Sequence, residues 1–78
     1  MLEIIEPLVL EIYGDNVMSR GLVNHLVYLL EGEGKTPLYR WEEREDRIRL
    51  ACWDWMTGGS TAEYAARRIE TALQKAGL

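Results

Sequence analysis

The sequence predicts an all-α fold, a small bundle of about four helices, and three observations predict it. Apolar side chains recur at a helical period over residues 16–31, and an alanine-rich stripe follows the same period over 60–76. Glycine or proline stands between the apolar stretches. Because 78 residues leave room for one core, we expect residues 1–78 to form a single helical domain.

The first predicted helix spans residues 6–13. Pro7 fits the first turn of a helix but not its interior, which places the start of the helix near Glu6. A strand remains an alternative for this segment, because every second residue from Leu8 to Ile12 is apolar.

The second predicted helix, residues 16–31, has the clearest pattern of the four. Gly14 ends the preceding segment, and Asp15 or Asn16 is placed to cap this helix. Its apolar side chains are expected to supply much of the core. They are Met18, Leu22, Val23, Leu26, Val27, Leu29 and Leu30.

The third predicted helix spans residues 41–57, after a loop at 32–40 that leaves room for a short extended segment at 38–41. Leu50 and Trp53 fall on its charged side, where they either meet residues 1–13 or stay exposed. Its core side is expected to carry Trp41, Ile48, Ala51, Cys52, Trp55 and Met56.

The fourth predicted helix spans residues 60–76 and opens with a capping box formed by Ser60 and Glu63. One side is mostly alanine, and Glu70 is expected on the opposite, outer side. Because small side chains allow close approach, we expect the large tryptophans of the third helix to pack against the alanines in an antiparallel hairpin.

Charge and cysteine content narrow the expected partners and location. Net charge is −4, and residues 1–34 hold six acidic residues against one basic residue, which favours a protein partner with a basic surface. A lone cysteine, an acidic N-terminal stretch and the lack of a long apolar run predict a soluble cytoplasmic protein without membrane contact. A core this small, without a disulfide, predicts a homodimer.

No group of residues in the sequence predicts catalysis, so we expect a protein that is not an enzyme and needs no cofactor or metal. Gly34-Lys35-Thr36 resembles the end of a phosphate-binding loop, but Leu29 stands where that motif needs a glycine. His25, the one histidine, has no nucleophile or positioned acid implied beside it.

The residues most suited to binding a partner are Trp53 and Leu50, two large apolar side chains on a charged helix side. Tyr28, His25 and Tyr39 are further candidates. The sequence therefore predicts a small, non-enzymatic protein-binding module. In size and charge the chain resembles the broad class of small acidic phage and mobile-element inhibitors of host proteins, anti-CRISPR proteins among them, which implies action by surface occlusion.

The alternative is a dimeric DNA-binding regulator. An extended segment, a helix, a Gly-Gly-Ser-Thr turn and a second helix make residues 36–76 similar to the ribbon-helix-helix family, which places paired strands in the major groove. A helix-turn-helix is the other DNA-binding option, although residues 60–76 show no internal turn. The basic residues available for DNA are Arg40, Arg44, Arg47, Arg49, Arg67, Arg68 and Lys75.

Overall fold

Four helices make up the regular structure in the computed structural model, which describes residues 1–31, 41–56 and 58–78 and gives Trp41 and Glu42 by their backbone alone. The helices are α1 (Leu2–Tyr13), α2 (Val17–Glu31), α3 (Trp41–Trp55) and α4 (Ser60–Lys75). The prediction of an all-α bundle of about four helices is confirmed. The extended segment suggested for 38–40 lies outside the described residues, and Trp41 is the first residue of α3.

The helices form a ring in which each one packs against its neighbours in the sequence, and α4 closes the ring against α1. Contacts between adjacent helices show that every adjacent pair is antiparallel. The Met1 amino group lies 4.0 Å from Glu31 at the end of α2, and Trp55 at the end of α3 covers Gly21 in the first half of α2. Arg44 near the start of α3 reaches Leu78 just after α4, and Ile12 near the end of α1 lines a cleft with Ser60 at the start of α4. Within the described residues, no Cα atoms of the diagonal pairs α1/α3 and α2/α4 come within 8 Å of each other, so these helices meet only through side chains in the core. The bundle measures 31 × 22 × 21 Å.

The core lies along the axis of the ring and takes side chains from all four helices. Met18, predicted to be a core residue, is 55% exposed instead, because it stands in the first turn of α2, at the end of the bundle. The buried apolar residues are Ile5, Val9, Leu22, Val23, Leu26, Ile48, Ala51, Cys52, Ala62, Ala65, Ala66, Ile69 and Leu73.

α1 begins at Leu2, four residues before the predicted start, so both the predicted boundary and the strand alternative are wrong. Pro7 lies in the second turn and removes one backbone hydrogen bond. The helix tolerates this loss because Ile5 and Val9, one turn apart, are fully buried. Burial of each such side chain is worth about 1.5–3 kcal/mol, and Pro7 itself faces solvent.

The start of α2 is held by a reciprocal pair of hydrogen bonds between Asn16 and Ser19. The Ser19 amide donates to Asn16 Oδ1 at 2.9 Å, and the Asn16 amide donates to Ser19 Oγ at 3.0 Å. Ser19 is fully buried, and its hydroxyl donates in turn to the Gly14 carbonyl. Asn16, one of the two residues predicted to cap this helix, is therefore the N-cap of α2.

The predicted capping box of α4 is wrong, because Gly59 is the N-cap residue and Ser60 is already helical. No side chain caps this end, and the Glu63 amide donates to the Gly59 carbonyl at 3.2 Å. The other end is a Schellman motif, in which the Leu78 amide donates to the Leu73 carbonyl at 2.8 Å. Gly77 permits this turn with a φ of 77°.

The two tryptophans described with their side chains, Trp53 and Trp55, pack on glycines and not on the alanines of α4. A Cβ atom at Gly58 would lie 2.5 Å from the Trp53 ring, and one at Gly21 would lie 2.6 Å from the Trp55 ring. Trp53 was predicted on the charged side of α3, so the prediction of packing against the alanines concerns Trp41 and Trp55. It is wrong for Trp55, whose ring lies over Gly21 of α2, and the side chain of Trp41 lies outside the described residues. Glycine, which has no side chain, gives each indole a flat backbone surface at the edge of the bundle.

Candidate functional site

Among the described residues, most of the large exposed apolar side chains lie on α2 and α3. We define the α2/α3 face as His25, Tyr28, Leu50, Trp53 and Trp55. Tyr28 is 59% exposed, Leu50 53%, Trp53 51% and Trp55 36%, although the core of the bundle is already complete without them. Single exposed apolar residues are ordinary, but several large ones on two adjacent helices make this face the candidate site for binding.

A groove between α2 and α3 forms the centre of this face. Its volume is about 160 Å³, well below the roughly 300–1,000 Å³ of typical small-molecule sites. Space of this size suits one inserted side chain of a partner. The groove is lined by His25, Leu29, Arg47, Leu50, Ala51 and Asp54.

Trp55 forms one end of the face and contacts α2 in two places. Its ring centroid lies 5.4 Å from that of His25, at an interplanar angle of 32°, and the same ring covers Gly21. The sequence assigned Trp55 to the core, and the structure corrects this because the residue ends α3 and projects over the surface of α2. The ring is therefore fixed in position and still partly open to solvent, a combination typical of interface aromatics.

The structure brings together several of the residues that the sequence singled out. Leu50 and His25 line the same groove, with Tyr28 one turn beyond His25 on α2 and Trp53 one turn beyond Leu50 on α3. Because α1 packs on α2 and α4, it leaves Leu50 and Trp53 uncovered. Tyr39 lies outside the described residues.

A buried ion pair between α3 and α4 was missed from the sequence. Arg44 Nε lies 2.7 Å from Glu70 Oε2, and Arg44 Nη2 lies 3.0 Å from Glu70 Oε1, so the guanidinium binds the carboxylate with two parallel hydrogen bonds. Arg44 Nη1 also donates to the main-chain oxygen of Leu78 at 2.7 Å, and Gln74 Nε2 donates to Glu70 Oε1 at 3.2 Å.

Glu70 is 4% exposed and Arg44 is 8% exposed, which corrects the prediction that Glu70 lies on the outer side of its helix. A sequence signal for this pair did exist. Arg44 stands four residues before the buried Ile48, and Glu70 stands four residues after the buried Ala66, so both charges fall on core-facing rows.

Cys52 is fully buried, as the sequence predicted, and it faces Tyr13 across the core. Burial raises the pKa of the Cys52 thiol to about 11, and burial also raises the pKa of Tyr13 well above its usual value. The Tyr13 hydroxyl makes no hydrogen bond of normal geometry within the described part of the chain. A thiol that stays protonated at neutral pH is a weak nucleophile, so Cys52 is a packing residue.

Stability is therefore expected to fall in alkaline solution. In the unfolded chain the Cys52 thiol ionises near its ordinary pKa of 9.0, whereas in the folded chain it stays neutral up to about 11. Between these values the unfolded state releases a proton that the folded state retains, and the balance shifts toward unfolding. Urea unfolding at a series of pH values checks this, and the Cys52→Ala variant should lose less stability over the same range.

Other kinds of site receive no support from the described residues. Among them, no three His, Cys, Asp or Glu side chains are grouped so that they could hold a metal ion. None of the helices in the described ranges is long and apolar enough to cross a membrane. Comparisons with protein-family models, with curated proteins and with solved structures found no match. The chain is therefore classified by its fold, as a small four-helix bundle.

Proposed function

We propose that the protein is a non-enzymatic binding module that uses the α2/α3 face to occupy a surface of another protein. The observation that carries this proposal is the exposure of Tyr28, Leu50, Trp53 and Trp55 beside a complete core. Tryptophan and tyrosine are enriched among the residues that dominate binding energy, and they lose little conformational entropy when they are held in place.

The groove beside Leu50 supports a protein partner more than a small molecule. It is too small for a cofactor, and it carries one positive and one negative side chain, Arg47 and Asp54, at its edges. Such a groove accepts a single side chain, while the surrounding aromatic rings exclude water from the contact.

Carboxylates around the face support a partner with a basic surface. Glu43, Asp46 and Asp54 are exposed on α3, and Glu31 is exposed at the end of α2. These charges would accelerate association with a basic protein, and added salt would slow it. Occlusion of the partner's surface is the mode of action that we propose, as in an inhibitor of the kind carried by phages or other mobile elements.

The DNA-binding alternative is the weaker one, because internal carboxylates pair with several of the basic residues that it needs. Arg44 is buried against Glu70, Arg68 contacts Glu11, and Arg49 lies 3.7 Å from Asp46. Arg40 lies outside the described residues. Residues 60–75 form one uninterrupted helix, whereas a helix-turn-helix needs a turn there.

Replacement of Leu50 by Asp tests the proposal. The change places a charge in the groove while leaving the core intact, so we expect a folded protein whose capture of its partner from a cell lysate falls at least about tenfold, the equivalent of one lost contact of 1.4 kcal/mol. Affinity capture with quantitative mass spectrometry measures the binding, and circular dichroism measures the folding.

Tyr64→Ser is the matched control, because Tyr64 is 52% exposed on α4, away from the α2/α3 face. It should capture as much partner as the native protein does. Equal capture by a folded Leu50→Asp variant would contradict the proposal. A complex that contains nucleic acid and dissociates steeply as salt rises would favour the DNA-binding alternative.

A further inference from the structure

A cleft of about 530 Å³ lies between α1 and α4, on the opposite side of the ring from the α2/α3 face. The charged side chains that line it are all basic, whereas the whole chain has a net charge of −4. The cleft is therefore a local cationic surface on an acidic protein. We define the α1/α4 cleft as Leu8 of α1 with Tyr64, Arg67, Arg68, Thr71, Ala72 and Lys75 of α4.

Two of the three cations in the α1/α4 cleft have hydrogen-bond donors available for a ligand. Lys75 is exposed and forms no hydrogen bond or ion pair with the residues that the structure describes. Arg67 is 74% exposed, and its Nε atom lies 3.9 Å from Glu45 Oε1, which is too far for a hydrogen bond. Arg68 differs from both, because its guanidinium donates to Glu11 and to the Tyr64 hydroxyl.

The available donors stand in one row along α4. Arg67, Thr71 and Lys75 follow each other at intervals of four residues, which places them on the same side of the helix. Arg67 and Lys75 are eight residues apart, about 12 Å along the helix axis at 1.5 Å per residue. The partly buried Leu8 and Ala72 supply apolar surface beside this row. The α1/α4 cleft thus combines two separated positive charges with an apolar part.

We propose that the α1/α4 cleft binds an acidic amphipathic helix of a protein partner. A helix that lies along α4 and carries two carboxylates eight residues apart places them about 12 Å apart, which matches the spacing of Arg67 and Lys75. An apolar residue midway between the carboxylates falls on the same side of that helix and meets Leu8 and Ala72. This site goes beyond the proposed function, because it lies on the other side of the bundle and selects the opposite charge.

The surroundings of the α1/α4 cleft favour such a helix over nucleic acid. Glu11 and Glu45 stand beside the two arginines, and the chain as a whole is acidic. Duplex DNA carries one negative charge per roughly 1.7 Å of its axis, so it would bring many phosphates toward these carboxylates. A peptide with two carboxylates at the matching spacing avoids this repulsion.

The open shape of the α1/α4 cleft favours a protein segment over a small molecule. Small-molecule sites bury about 70–90% of the ligand surface. Here the rim is open to solvent, since Arg67 is 74% exposed and Tyr64 is 52% exposed. A helix laid along the surface needs no such enclosure.

A charge exchange between the protein and a synthetic peptide tests this proposal. The probe is a fluorescently labelled, alanine-rich helical peptide with two glutamates eight residues apart and a leucine midway between them. Fluorescence anisotropy at low salt should show saturable binding to the native protein. Arg67→Glu and Lys75→Glu should each raise the dissociation constant about fivefold or more. The double variant should instead bind the matched peptide that carries lysines in place of the glutamates.

Arg49→Glu is the control, since it changes the net charge by the same amount from α3. It should bind the glutamate peptide as the native protein does, and circular dichroism should show every variant folded. Leu50→Asp should also bind this peptide normally, which separates the α1/α4 cleft from the α2/α3 face. Lack of saturable binding, or equal affinity in both charge-reversed variants, would overturn the proposal. Tighter binding of a DNA oligonucleotide than of the peptide would overturn it in favour of nucleic acid.

Discussion

Replacement of Glu70 by alanine is expected to lower the free energy of unfolding by about 3–5 kcal/mol, because the buried Arg44 guanidinium would lose the carboxylate that binds it with two hydrogen bonds. Small domains of this kind have a total stability of about 5–15 kcal/mol, so much of the native population would be lost at elevated temperature. Urea unfolding followed by circular dichroism measures the effect.

Two further variants distinguish the stability lost through the buried charge from the stability lost through the smaller side chain. Glu63→Ala removes an exposed carboxylate from the same helix and should change stability by no more than about 0.5 kcal/mol. The double variant Arg44→Met with Glu70→Leu removes both charges and should recover most of the lost stability. If Glu70→Ala costs as little as Glu63→Ala, the ion pair is not buried as described.

Replacement of Ile48 by alanine should have the second largest effect, a loss of about 2–5 kcal/mol. Ile48 is fully buried at the centre of α3, and the neighbouring helices can close the resulting cavity only in part. In a domain of this size each kcal/mol corresponds to about 4–8 °C in Tm, so thermal unfolding readily detects the change.

Leu50→Ala is the matched control for Ile48→Ala, because it removes a similar side chain two residues further along the same helix. Leu50 is 53% exposed, so stability should change by less than about 1 kcal/mol. The affinity for the partner should rank the two variants in the opposite order. Leu50→Ala should weaken binding more than Ile48→Ala does, because Leu50 lines the proposed contact groove and Ile48 does not. A large loss of stability in Leu50→Ala would show that this residue supports the fold and would weaken its assignment to the α2/α3 face.

The helices were predictable where side-chain burial and sequence period agree. Leu22, Val23 and Leu26 recur at the helical period, and all three are buried. The start of α1 was not predictable, because the usual rule for Pro7 concerns the local backbone, whereas burial of Ile5 and Val9 is decided by tertiary contact. Tertiary packing overrode the local rule there.

The candidate site was predictable only in part, again because tertiary packing cannot be read from a local sequence pattern. Leu50 and Trp53 stand out against a charged helix side in the sequence alone, but only the packing of α1 decides whether they are covered. The role of Gly21 and Gly58 as platforms for Trp55 and Trp53 depends on which residues meet in space, so no local pattern reveals it. The Arg44–Glu70 pair was missed although both residues fall on core-facing rows, because charged residues are rarely buried and an outer position was expected.

The ring arrangement of the helices also bears on how fast the chain folds. Three of the four helix contacts join successive helices, so most of the native structure needs only short stretches of chain to meet. Proteins rich in such local contacts fold within about microseconds to milliseconds. The α1–α4 contact is the exception, because it connects helices at opposite ends of the sequence and carries the larger loop-closure entropy. Docking of α1 onto α4 is therefore the helix contact with the largest entropic cost during folding.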